Sequence, residues 1–249
     1  MKNRPYLQHV SLKEEKIESF DNYPFSLPVV KNLGRLEFSP TVTFIVGENG
    51  SGKSTLIEAI AVAMGFNPEG GTRNFNFGTR DSHSALHDCL RLSKSLDRPK
   101  DGFFLRAESF FNVATNIENM DSEGAGPQII DSYGGKSLHE QSHGESFLSL
   151  VVHRFFGNGL YILDEPEAAL SPTRQLSVLS RMNQLLQQDS QFIIATHSPI
   201  LMAYPDAWIY QITESGLKRV AYEETEHYEI TRSFLENPQR MLRELFRDD

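Results

Sequence analysis

Residues 47–55 read GENGSGKST and follow directly on the apolar run TVTFIV, Thr41 to Val46. Gly47 to Ser54 fit the pattern G-x-x-x-x-G-K-[S/T]. In such a loop the glycines let backbone N–H groups face phosphate oxygens, and the helix that follows adds the positive end of its dipole. The pattern assigns Lys53 to the terminal phosphates and the Ser54 hydroxyl to a Mg²⁺ ion bridging two of them. The bland alternative is a glycine-rich turn with an exposed lysine. The strand-like run before the loop and the helix-like Lys53–Met64 after it favour phosphate binding. Gly47, Glu48, Asn49, Gly50, Ser51, Gly52, Lys53, Ser54 and Thr55 are therefore the candidate nucleotide contacts.

The chain has 249 residues, enough to bury a full core as one large domain or two small ones. Its formal net charge of -9 argues against a generic DNA-coating protein, although a local basic face is compatible with it. A single cysteine, Cys89, excludes an internal disulfide and fits a reducing compartment. No apolar run reaches transmembrane length, and the N-terminal MKNRPYLQHVSLKEEK has no signal-peptide core. The expectation is a soluble, cytoplasmic protein without direct membrane insertion.

Strand-like runs alternate with helical patterns along the chain, which implies an α/β fold with a largely parallel sheet. Gly102–Ala107, Leu160–Leu163 and Gln191–Thr196 read as strands. Phe66–Arg80 reads as a loop, and Asp81 or Ser82 as the cap of a helix through Leu96. Glu108–Met120 and Gly144–Phe156 read as helices flanking a glycine-rich loop, Asp121–Ser142. Ser171-Pro172 is a cap and first-turn pair for a helix through Gln188. AWIYQIT and GLKRVAY, split by Glu214-Ser215, predict a hairpin, and the stretch from Glu226 reads as helix broken at Asn237-Pro238.

LYILDEPEAALSP, Leu160 to Pro172, ends an apolar strand in two carboxylates at the sheet edge where α/β proteins bind ligands. Asp164 is the candidate Mg²⁺ ligand, through the ion's water shell, and Glu165 the candidate base for an attacking water. A strand followed by an acidic helix cap is the alternative. A second motif competes for the function: HEQSH, His139 to His143, fits the zinc-protease pattern H-E-x-x-H with Glu140 as base. That pattern needs a helix to place both histidines on one face. Here it lies between Gly134-Gly135 and Gly144 without apolar periodicity, and no third ligand stands out downstream. His83 and His87 are also four apart, and a polar helix face explains them.

Together these stretches resemble the nucleotide-binding domain of ATP-binding-cassette (ABC) ATPases, and within it the stand-alone branch related to chromosome-maintenance and DNA-repair ATPases. The resemblance covers about Pro24 to Trp208. GENGSGKST matches the Walker A loop and LYILDEP the Walker B strand. QSHGES, Gln141–Ser146, stands where the family's LSGGQ signature belongs, and IIATHSP places His197 at the family's switch histidine. The sequence departs at His143, in place of glycine, and at Glu145, in place of glutamine, while Ser142 and Gly144 are retained. The D-loop reads AALS, Ala168–Ser171.

The resemblance implies one P-loop NTPase domain over 1–249: an ABC-type cassette with a largely parallel central sheet, an antiparallel β portion, a small helical lobe at about 80–150 and a C-terminal hairpin and helices at 205–249. It implies ATP and Mg²⁺ as ligands, Glu165, His197 and Lys53 as catalytic groups, and Ser142, Gly144 and Glu145 of one copy facing the ATP held by another. Ser54 and Asp164 are the implied metal ligands, with Glu108 as a weaker Q-loop candidate, and Tyr23 or Phe25 as the adenine-stacking aromatic. It further implies an ATP-dependent homodimer acting on a separately encoded effector or DNA. The altered signature leaves room for a regulatory or scaffolding module with negligible turnover.

Overall fold

Val42–Val46 is buried at every position, as a strand covered on both faces must be. It is the third of nine strands in the computed structural model, which describes residues 5–73, 85–106 and 142–247 with positions 114, 115, 118, 121, 129–133, 135 and 137. In chain order they are β1 (Leu7–Leu12), β2 (Leu36–Glu37), β3 (Val42–Val46), β4 (Leu90–Lys94), β5 (Asp101–Arg106), β6 (Gly159–Asp164), β7 (Gln191–Ala195), β8 (Trp208–Thr213) and β9 (Gly216–Val220). The helices are α1 (Pro28–Lys31), α2 (Lys53–Ala63), α3 (His143–Ser149), α4 (Pro172–Gln187), α5 (Pro199–Met202), α6 (Glu226–Glu236) and α7 (Pro238–Leu245).

Six strands form the central sheet in the order β5-β6-β7-β3-β8-β9. All neighbours are parallel except β9, which returns antiparallel on β8 through the expected Glu214-Ser215 turn. Alternation along β3 sorts the core into two layers. Val42, Phe44 and Val46 join Val178, Met182 and Leu185 of α4 on one face. Ile45 joins Leu56, Ile57 and Ile60 of α2 on the other.

Outside α2 lies a second, antiparallel sheet in the order β2-β1-β4, which buries Leu7, Val10, Leu36 and Leu90 in that same layer. The Gln191 amide ties the two sheets together. Its Nε2 donates to Leu7 O at 2.9 Å and Ser39 O at 3.0 Å, and its Oε1 accepts from Leu7 N at 3.0 Å. A buried amide satisfied on both ends keeps its desolvation cost offset.

The helix expected from Asp81 or Ser82 through Leu96 is not what forms. Ala85–Cys89 is a tight helical turn, and Leu90–Lys94 is strand β4, running antiparallel to β1 from Leu12↔Leu90 to Leu7↔Lys94. Pairing with a strand some eighty residues upstream overrides the local helical spacing. Residues 90–94 and 101–106 of the stretch assigned to the helical lobe thus belong to the two sheets. α3 and the π-type turn Leu150–Arg154 that prolongs it carry helical structure at the stretch's end. The expected helix Glu108–Met120 falls largely outside the described residues. No helix among the described residues is long and apolar enough to cross a membrane.

Candidate active site

The sheet register brings three strand ends level. Asp164 pairs with Ala195, and Ala195 pairs with Ile45, so β3, β6 and β7 finish in one row at the same edge. The chain leaves β3 into the glycine loop, β6 into Glu165 and β7 into His197. This is the carboxyl edge, where open α/β sheets gather their functional residues.

The loop depends on glycine at two places. Gly50 (φ 79°) and Gly52 (φ 94°) adopt left-handed backbone. A Cβ on Gly52 would also stand 2.7 Å from Val29 Cγ1 of α1. Lys53 opens α2, yet its side chain folds back beneath the loop. Its Nζ donates to Gly47 O at 2.9 Å and Glu48 O at 2.8 Å, and only 3% of the residue is exposed. Burial pulls its pKa below the usual lysine value, while the carboxylates of Glu165, Asp164 and Glu167 oppose that shift. With two of three donors occupied, an ammonium retains one for an incoming anion.

Ser54 Oγ, one residue on, donates to Asp164 Oδ1 at 3.1 Å. Ser51 Oγ is buried at the loop with no hydrogen-bond partner among the described residues. A phosphate oxygen would satisfy that hydroxyl, and the Ser54–Asp164 pair offers two hard oxygen donors to a divalent cation. The residues present therefore fit Mg²⁺ with a nucleotide triphosphate. Among the described residues no cluster of three or more His, Cys, Asp or Glu side chains forms a metal cage. His139, Glu140 and Glu108 lie outside the described residues.

Glu165 occupies left-handed backbone at φ 50°, an unusual posture for a non-glycine residue. Its N–H donates to Ala195 O at 2.9 Å, which fixes it to β7. His197 Nε2 lies 3.3 Å from Glu165 Oε1, close enough to pair but without hydrogen-bond alignment. The backbone N–H of His197 donates to Glu167 Oε1. Glu167 is thus a third carboxylate at this edge, one the sequence displayed in DEPE but to which no role was attached.

Ser142 caps α3 through its reciprocal contact with Glu145. The Ser142 backbone N–H and its Oγ approach Glu145 Oε2 at 3.1 Å and 2.8 Å. Arg174 of α4 donates to Ser142 Oγ at 3.3 Å and pairs with Glu145 Oε1 at 3.2 Å. Hydrogen bonds from Ser142, assisted by Arg174, hold the Glu145 carboxyl below its usual pKa. Gly144 has no room for a side chain: a Cβ would collide with Arg174 Nη1 and stand 2.6 Å from Ala169 O. Among the described residues no hydrogen bond or ion pair joins Ser142, Gly144 or Glu145 to the loop 47–55 of the same chain. The two aromatic candidates separate: Tyr23 is 68% exposed, with its hydroxyl 3.2 Å from Thr55 Oγ1, whereas Phe25 packs against the core.

A family model described as "AAA domain" matches residues 16–123, and another described as "AAA domain, putative AbiEii toxin, Type IV TA system" matches residues 131–203. The chain is 24% identical to a "Putative ABC transporter ATP-binding protein" of Pyrococcus furiosus, over 90% of this chain and 95% of that protein. It is 26% identical to the chromosome partition protein Smc of Methanocaldococcus jannaschii, over 53% of this chain but 13% of that protein. The structure of cbiO1 from Clostridium perfringens, part of the ABC transporter complex cbiONQ, superposes with a TM-score of 0.50 at 18% identity, covering 95% of this chain and 98% of that one. The chain is thus similar to ABC and SMC ATPases, and its fold is that of an ABC-type P-loop domain.

The site carries two further links that its motifs did not announce. Arg174 and Gln175 are neighbours on α4 but reach opposite ways. Arg174 holds the Ser142–Glu145 cap, whereas the buried Gln175 donates to Leu170 O at 3.1 Å and accepts from the hydroxyl of Ser198, next to His197. The first turn of α4 thus ties the signature to the strand end bearing His197. The other link is His227 of α6, whose Nε2 lies 3.0 Å from His197 Nδ1. Neighbouring Glu226 lines a cavity of about 410 Å³ together with Gly47, Glu48 and Ser51, so the start of α6 flanks the glycine loop.

Proposed function

We propose that this chain binds and hydrolyses Mg·ATP in a head-to-tail homodimer. The carrying observation is the convergence of Lys53, Ser54, Asp164, Glu165 and His197 at the shared carboxyl edge of β3, β6 and β7. The loop amides and Lys53 grip the phosphates. Ser54 and Asp164 would hold the Mg²⁺, which would offset charge on the phosphate oxygens. Glu165 takes a proton from water as the water oxygen bonds to the γ-phosphorus and the bond to ADP breaks. His197 bears on the same γ-phosphate. Tyr23, exposed beside Thr55, is the better placed aromatic for the adenine.

The dimer reading is supported by where the signature stands. Ser142 and Gly144 stand at the N-terminal end of α3, where backbone N–H groups favour an anion. A second copy would bring that end to the γ-phosphate of the first. Closure and reopening would then act on a separately encoded effector or on DNA. ATP favours the closed state by its differential affinity for it.

A regulatory module with negligible turnover is favoured by one observation: Glu145 and Arg174 already engage the Ser142 hydroxyl. Phosphate release from purified protein separates the two readings. Glu165→Gln should retain ATP binding and lose turnover by roughly a hundredfold to ten-thousandfold, the usual worth of a general base. Wild-type release no faster than that of the variant would favour the regulatory reading.

A further inference from the structure

His197 has one ring nitrogen toward Glu165 and the other toward α6. Nε2 stands 3.3 Å from Glu165 Oε1, and Nδ1 stands 3.0 Å from His227 Nε2. The rings are 5.2 Å apart and tilted by 55°. His227 Nδ1 is buried and has no hydrogen-bond partner among the described residues. One proton must therefore lie between the rings, and there are two ways to place it.

If His197 Nδ1 carries it, His197 Nε2 presents a lone pair to a carboxylate, and His227 buries an N–H with no acceptor. If His227 Nε2 carries it, His197 Nε2 holds its N–H 3.3 Å from the Glu165 carboxylate, off hydrogen-bond alignment, and His227 buries only a lone pair. An orphaned donor is rarer and costlier than an under-satisfied acceptor, and a donor facing a carboxylate is favourable. Both ends of the pair favour the second arrangement. Burial, aided by His197 and Lys53 and opposed by Glu226, holds His227 below its usual pKa, a shift toward the neutral ring.

The geometry points to His227 as a positioning residue that fixes His197 in the Nε2–H tautomer, with its donor beside the Glu165 carboxylate. The role rests on the proposed function, since it presumes that His197 faces the nucleotide. It makes helix α6 part of the catalytic apparatus: a displacement of α6 removes the partner of His197 Nδ1 and releases the ring. No motif carries this residue, because its partner is thirty positions away in sequence.

The test pairs a spectroscopic readout with kinetics. In nucleotide-free protein with ¹⁵N-labelled histidine, the His197 ring should show Nε2 protonated and Nδ1 bare. His227→Phe should convert it to a tautomer mixture and lower kcat by roughly 10- to 100-fold, the range found for the outer partners of metal-bound histidines, with KM for ATP within about twofold. His227→Gln, whose amide N–H reaches similarly, should restore the tautomer and most of kcat. A protonated His197 Nδ1 in the wild type, or an unchanged tautomer and kcat in His227→Phe, overturns the assignment. If His227→Phe does not fold, the wild-type tautomer and the His227→Gln rates still decide. His197→Ala isolates the underlying reading: unchanged turnover there removes His197 from the hydrolysis scheme, whereas the ring spectra continue to report on His227.

Discussion

Ser54 and Asp164 lie 110 positions apart in sequence, yet the Ser54 hydroxyl donates to Asp164 Oδ1 at 3.1 Å. The contact joins the first turn of α2 to the last residue of β6. It holds two oxygen donors together at the head of the phosphate loop, so little ordering of these side chains would remain for the proposed cation to impose.

Ser54→Ala removes one of those donors and leaves Asp164 without this partner. A hydrogen bond to a charged group is worth about 1.5–3 kcal/mol. ATP affinity in the presence of Mg²⁺ should fall by roughly ten- to a hundredfold, and affinity measured in a chelator should change little. Calorimetric titrations under the two conditions check this. Equal losses in both would mean that the hydroxyl serves the loop and not the cation.

Gly144→Ala should both destabilise the protein and loosen the signature. The added methyl meets Ala169 O and the Arg174 guanidinium, so α3 must move off the turn that precedes α4. Overpacking of this kind costs about 1–3 kcal/mol. Urea unfolding should register that loss, and turnover should fall with ATP affinity unaffected. Wild-type stability would show that α3 shifts freely and that the contact with Arg174 is incidental.

The same physics explains what was legible beforehand. β3, β6 and β7 are short apolar runs buried on both faces, and each is followed within two residues by a chemistry-bearing one, Gly47, Glu165 or His197, so strand ends and candidate site residues were legible together. Gly at the left-handed positions of the phosphate loop, Pro172 behind Ser171, and Asn237 before Pro238 marked turns and caps through local chemistry that needs no partner. β4 was misread because LRLSK has no distinctive strand composition and its ladder partner, β1, lies far upstream. Glu167, Arg174, Gln175 and His227 act through contacts that only the fold creates, and spacing alone could not have selected them.

His227 should leave a mark on the pH dependence of stability. Its folded pKa lies below the ordinary value of 6.5, so the unfolded chain binds the extra proton first as pH falls. The contribution of this ring is complete above about 6.5 and is lost as pH drops from there through the folded pKa. Unfolding free energies of wild type and His227→Gln, compared from about pH 8 to about pH 5, should converge or cross as acidity rises. A constant difference would show that the ring titrates as it does in the unfolded chain.

The central claim, that each reaction centre takes its phosphate loop from one copy and its signature from another, is tested most directly by mixing. Lys53→Ala disables the loop, and Ser142→Phe obstructs the signature. Each variant alone should release almost no phosphate. In a heterodimer of the two, one centre combines the intact loop of the second variant with the intact signature of the first, so the mixture should regain a substantial part of wild-type turnover. A mixture that releases no more phosphate than the two variants measured apart would contradict the account.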